Sequence, residues 1–120
     1  MRNEVQVIVT VLSIDNENDP DILAMIASSL ALSLSDIPWN GPIAGVRVGI
    51  KNGQHILNPT YNERIDVSLD VVVSGTKEYI NMLEAGASEI DEAHFADAVE
   101  WGYGFVKQLV AFQEEIIRTH

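Results

Sequence analysis

The chain has 120 residues, 18 of them Asp or Glu against 7 Lys or Arg, for a formal net charge of -11. With 47% hydrophobic residues it has the length and composition of one globular domain and not of a disordered chain. The lack of cysteine excludes disulfide scaffolds, thiol catalysis and cysteine zinc sites, and the acid excess opposes unaided binding to phosphate backbones or anionic membranes.

Glu4 and Gln6 interrupt any signal-peptide core near the N-terminus. The most apolar stretch, residues 22–34, contains three serines and falls short of the roughly 20 apolar residues of a spanning helix. The expected location is the cytoplasm.

Residues 5–14 are β-branched and apolar on both alternating faces, which predicts a central strand. A polar loop, Asp15 to Asp19, follows. Asp19 is the expected N-cap of a helix from Pro20 to Ser35. Its apolar residues go most of the way round, so burial on several sides is expected. Ala44, Val46, Val48 and Ile50 alternate along the next strand. Asn52-Gly53 then signals a two-residue hairpin turn, because both positions of a type I′ turn need positive φ. Residues 54–57 return. A second alternating strand, residues 67–73, is expected to pair with residues 79–85 after a Ser74-to-Lys77 turn.

A long helix from about Glu92 to Ile117 closes the chain, with Asp91 as N-cap. Its inward stripe is Phe95, Val99, Gly102, Val106, Leu109, Phe112 or Gln113, and Ile116. Gly102 and Gly104 suggest a close backbone approach there. The predicted order is β-α-β-β-β-β-α, an α+β fold with the sheet and helices in two layers.

The candidate chemistry is sparse. Asp15, Glu17, Asp19 and Asp21 alternate as in a calcium loop, but Pro20 stands where an EF-hand needs glycine. The reading for that stretch is a solvated loop whose last acid caps a helix. His55, His94 and His120 fall on three separate elements and share no metal-ligand spacing. Asp66 and Asp70 lie four apart on or near one strand. Such a pair suits Mg²⁺ or acid-base work, and equally the open polar face of an antiparallel sheet. Arg47, alone between Gly45 and Gly49, is a candidate for a phosphate or carboxylate partner, RNA included.

Several segments resemble polynucleotide phosphorylase, the polyribonucleotide nucleotidyltransferase family. They are residues 3–13, Asn18-Asp19-Pro20-Asp21 with residues 22–26, residues 31–38, Asn40-Gly41-Pro42-Ile43, Val46-Arg47-Val48-Gly49, Leu57-Asn58-Pro59-Thr60 and residues 69–76. The resemblance is to the C-terminal part of the family's first RNase PH-like domain. It implies a ribosomal protein S5 domain 2-like fold whose N-terminal strands this chain lacks. Residues 1–120 would then be a single partial RNase PH-like domain. It implies a parent enzyme, a homotrimeric ring, that degrades RNA from its 3′ end with phosphate and Mg²⁺. The parent's active copy carries Asp-x-Lys on the strand that matches Leu69 to Val72. Here Asp70 matches the aspartate and Val72 replaces the lysine. Where the family often has Phe-Gly-His-Glu, this chain has Trp101-Gly102-Tyr103-Gly104.

The resulting expectation is a non-catalytic scaffold segment of an RNA-degrading core. Its partners would be the rest of that core, with RNA reached through the parent only, and no cofactor of its own. The site candidates are Asp70 for catalysis, Arg47 for RNA, and Asp66 with Asp70 for metal. The competing expectations are a non-enzymatic binding or oligomerisation module and a Mg²⁺-dependent enzyme using Asp66 and Asp70.

Overall fold

Asn52 and Gly53 both take positive φ, 51° and 75°, which left-handed conformation the type I′ turn requires. They join β1 (Ala44–Lys51) to β2 (Gln54–Leu57) in the computed structural model, which describes residues 3–120. β3 (Leu69–Gly75) and β4 (Ile80–Ala87) complete one sheet of order β2-β1-β3-β4. Every neighbouring pair is antiparallel. The register sets Val46 opposite Val73, Val48 opposite Val71 and Ile50 opposite Leu69. Alternation therefore collects these six residues on one face, and all are buried.

That face is covered by α3 (Glu92–Thr119). The Asp91 carboxylate accepts the His94 backbone N–H at 2.8 Å and caps the helix as the sequence predicts. Ala98, Val99, Val106 and Val110 of α3 close the core over the sheet. Gly102 lies where the backbone comes nearest: a Cβ there would stand 2.6 Å from Val48 Cγ2. Gly104 faces open space instead, so the close approach expected of both glycines belongs to Gly102 alone.

α1 (Asp21–Ser33) packs against β1 and α3. β2 pairs with β1 only from Val48 to Lys51, and the Met25 sulfur takes the space beside Gly45 that a Cβ would need. The helix thus shields the end of β1 that lacks a strand neighbour on that side, one way to protect a sheet edge.

A sheet packed with helices is the α+β class read from the sequence. Some elements differ in detail. Residues 5–14 form no strand, and their side chains are exposed. β-branched alternation expresses a preference for extended backbone, but a strand also needs a ladder partner, and none of β1–β4 offers one. α1 buries only Ile22 and Ser29, and Leu23 is 72% exposed, so its all-round apolar sequence is not enclosed. The helix begins at Asp21 with Pro20 at the cap position, and Asp19 instead accepts the Asp21 N–H from one residue further out. A one-turn helix, α2 (Tyr61–Arg64), stands where a polar link is expected. Thr60 and Glu63 form a reciprocal capping box around it.

Candidate functional site

The face of the sheet opposite α3 carries the polar residues of the same strands. Arg47 lies between Val46 and Val48, and Asp70 between Leu69 and Val71, so both project away from the core. Gly49 is the register partner of Asp70, which makes Arg47 its diagonal neighbour on the adjacent strand. Arg47 Nη1 donates to Asp70 Oδ1 at 2.8 Å, and Arg47 Nη2 donates to Asp21 Oδ2.

α2 brings a second guanidinium to the same carboxylate. Arg64 Nε donates to Asp70 Oδ2 at 3.1 Å, and Arg64 Nη1 donates to Asp19 Oδ2 at 3.1 Å. The result is a continuous chain of charge, Asp21–Arg47–Asp70–Arg64–Asp19. It ties the start of α1 and all of α2 to β1 and β3. The Arg47 side chain is 14% exposed and Asp70 is 24% exposed, so the network sits in a poorly solvated place where charges must be paired. Burial alone raises the pKa of the Asp19 carboxyl, but the Asp21 N–H and the Arg64 guanidinium outweigh it and hold it below its ordinary value. Burial likewise disfavours charge on Arg47, and Asp70 and Asp21 more than restore it. Arg47 Nε is buried without a hydrogen-bond partner. Beside the network lies a hollow of about 300 Å³, walled by Ile22, Leu23, Ile26 and Leu109 with Asp21 and Arg47 at its polar end.

Residues 41–104 match the 3′ exoribonuclease family, domain 2. The chain belongs to that family. The match runs from before β1 into α3 and includes Arg47, Arg64 and Asp70, whereas Asp19 and Asp21 lie outside it. The chain is similar to the polyribonucleotide nucleotidyltransferase of Exiguobacterium sibiricum, 49% identical over 116 residues, which are 97% of this chain and 16% of the relative. It is 53% identical over 116 residues to that of Streptococcus gordonii, covering 97% of this chain and 16% of the relative. With that of Alkaliphilus oremlandii the identity is 51% over 115 residues, 96% of this chain and 16% of the relative. The chain thus spans 16% of the length of these curated relatives. The resemblance to the C-terminal part of a polynucleotide phosphorylase RNase PH-like domain is borne out.

Within this member of the exoribonuclease family, two of the three residues singled out from sequence come together: Arg47 and Asp70. Asp66 goes elsewhere. It precedes β3, is 69% exposed and faces Lys51 Nζ at 3.6 Å. The three histidines stay apart as the sequence suggests: His55 stacks on Trp101 with ring centroids 5.0 Å apart, and His94 bonds back to Asp91. The acidic loop turns on itself, with Asp15 Oδ1 accepting the N–H groups of Glu17 and Asn18 at 2.8 Å each.

The Mg²⁺ implied by the parent family does not fit the donor set. Both oxygens of Asp70 are already bonded to guanidinium groups, and a divalent ion there would stand against two fixed positive charges. Among the described residues, no group of three or more His, Asp or Glu is placed to hold a metal.

Asp19, Asp21 and Arg64 were not singled out from sequence as partners of Asp70. One signal was available: Thr60-Tyr61-Asn62-Glu63 is a capping-box sequence, and recognising the helix it starts would have brought Arg64 next to the strand entrance.

Proposed function

We propose that the chain is a non-catalytic scaffold segment of a phosphate-dependent 3′-to-5′ RNA-degrading enzyme, a partial RNase PH-like domain whose catalytic centre lies in other parts of the parent protein. The observation that carries this reading is the state of Asp70. Catalysis on phosphate esters needs a carboxylate free to hold a metal or move a proton. Asp70 is instead clamped by Arg47 and Arg64, and Val72 stands where the resemblance implies a lysine. The relatives that share the sequence are named polyribonucleotide nucleotidyltransferases, which supports RNA as the substrate of the parent. The surplus of acids, 18 against 7 bases, supports RNA contact through other parts of that protein, and leaves Arg47 to an internal role. Mg²⁺, the trimeric ring and the cytoplasmic setting belong to the parent in this proposal.

The test is direct. The chain is incubated with single-stranded RNA, inorganic phosphate and Mg²⁺, and the products are separated by chromatography. No nucleoside diphosphate is expected. Diphosphate release that disappears in Asp70→Ala would overturn the reading.

A further inference from the structure

Residues 4–14 combine strand-like chemistry with an absence of strand partners. Among the described residues, none of their backbone groups is bonded to another backbone group. The segment runs beside α1 from end to end. Val5 shares a hollow with Ile37, just past the helix C-terminus, and Ile14 shares one with Leu23, in its first turn. Side-chain exposure alternates along it: Val7 and Val9 are both 46% exposed, whereas Ile8 between them is 77% and Leu12 is 93%. A period of two is the side-chain disposition of a β-strand, here with its ladder groups unused.

The charge around the segment is one-sided. Between residues 3 and 46 the chain has no Lys or Arg before Arg47, yet carries Glu4, Asp15, Glu17, Asp19, Asp21 and Asp36. They gather at the two ends of the apolar run. Glu4 and Asp36 line the hollow at one end, and Asp15 and Asp19 line the hollow at the other. Only Asp19 and Asp21 have cationic partners, the arginines of the network.

We propose that residues 5–14 are a docking edge for a β-strand of a partner polypeptide, apolar in alternation and flanked at both ends by Lys or Arg. The proposal rests on the scaffold reading and names the kind of partner a scaffold would take here. A strand is required because only extended backbone offers N–H and C=O groups at the spacing this segment leaves open. Basic flanks are required because the carboxylates at each end would otherwise face a neutral or acidic neighbour. The same charges disfavour a second copy of this chain. Antiparallel self-pairing would set the Glu4 and Asp36 end of one copy against the Asp15 and Glu17 end of the other, acid against acid. They also disfavour RNA.

Two synthetic peptides of alternating valine and threonine test this, one ending in lysines and one ending in glutamates. Binding is read by amide hydrogen exchange and by NMR of the labelled chain. The lysine-ended peptide is expected to protect the amides of residues 5–14, to bind about tenfold or more tightly than the glutamate-ended one, and to weaken as salt screens the pairs. Val9→Pro, which removes a backbone donor outside the core, is expected to abolish binding and leave the thermal melt unchanged. Equal binding of both peptides, protection on β4 instead, or concentration-dependent protection of residues 5–14 without peptide would each overturn the proposal, the last in favour of a second copy. Failure here is distinguishable from failure of the scaffold reading, which is decided by diphosphate release from RNA and not by peptide binding.

Discussion

Ser29 Oγ donates to Gln113 Oε1 at 2.7 Å, with both residues buried, and so joins the middle of α1 to the last third of α3. The pair closes around the chain entering β1. Ile43 N–H donates to Ser29 Oγ at 2.9 Å, and Gln113 Nε2 donates to the Ile43 carbonyl at 2.8 Å. Every polar atom of the triangle is satisfied by another, which is the condition under which buried polar groups hold a unique arrangement. Ser29→Ala removes the donor for Gln113 and the acceptor for Ile43 together. A loss of about 1–3 kcal/mol is expected, the cost of stranding buried polar groups. Ser28→Ala is the control. Its hydroxyl bonds only to the Ala24 carbonyl within the same helix, and a change within about 0.5 kcal/mol is expected. Urea denaturation of both variants checks the contrast.

The two glycines of α3 separate helix propensity from packing. Gly104→Ala adds a methyl into open space and is expected to stabilise by up to about 1 kcal/mol, the helix preference of alanine over glycine. Gly102→Ala gains the same propensity but drives its methyl to 2.6 Å from Val48 Cγ2 and 3.4 Å from Val46 Cγ2. Overpacking costs about 1–3 kcal/mol, so a net loss is expected. Thermal melts of the two variants should move in opposite directions.

What the sequence revealed divides by the range of the forces involved. The Asn52-Gly53 turn, the alternation of Val46, Val48 and Ile50, and the Asp91 cap were legible because each is fixed by neighbours a few residues away. The α3 stripe left Phe112 and Gln113 as alternatives. The structure buries Gln113 and leaves Phe112 58% exposed, against simple hydrophobicity, because Ser29 and Ile43 supply partners from distant parts of the chain. The ion network was not legible for the same reason. Its contacts join residues 26 and 45 apart, and no local pattern links Asp19 to Arg64. Residues 5–14 fail in the opposite way: the local pattern is strong, but strand formation depends on a partner that local pattern cannot supply.

Asp70 balances two guanidiniums in a place that is one-quarter exposed or less: 14% for Arg47 and 24% for both Asp70 and Arg64. Asp70→Ala would leave both without their shared counterion. A loss of about 2–4 kcal/mol is expected, at or just below the range for breaking a buried pair. Asp66→Ala breaks only the exposed contact with Lys51, 3.6 Å long, and a change of about 0.5 kcal/mol or less is expected. Equal effects in urea denaturation would show that the network contributes no more than a surface pair.

Acid should loosen the start of α1 before it reaches the core. Asp15 titrates at about 2 instead of 3.8, chiefly because its carboxylate accepts the Asn18 N–H, then the Asn18 side chain and the Glu17 N–H. Asp19 is also held below 3.8, with the Asp21 N–H and Arg64 outweighing burial. Both groups bind a proton more weakly folded than unfolded. Their contribution is therefore complete above the unfolded value of 3.8 and is lost as pH falls from there toward about 2. Unfolding midpoints in urea are expected to drop across that window. In Asp19→Asn the midpoint should be lower at neutral pH, because Arg64 loses an ionic partner, and the further drop in acid should be shallower, because one titrating group is gone. An acid profile identical to the unsubstituted chain would place the loss elsewhere. Carbon-detected NMR of the Asp15 carboxyl gives the independent check: a midpoint near 3.8 would mean that its turn, with Asn16 at φ 63°, does not persist in solution.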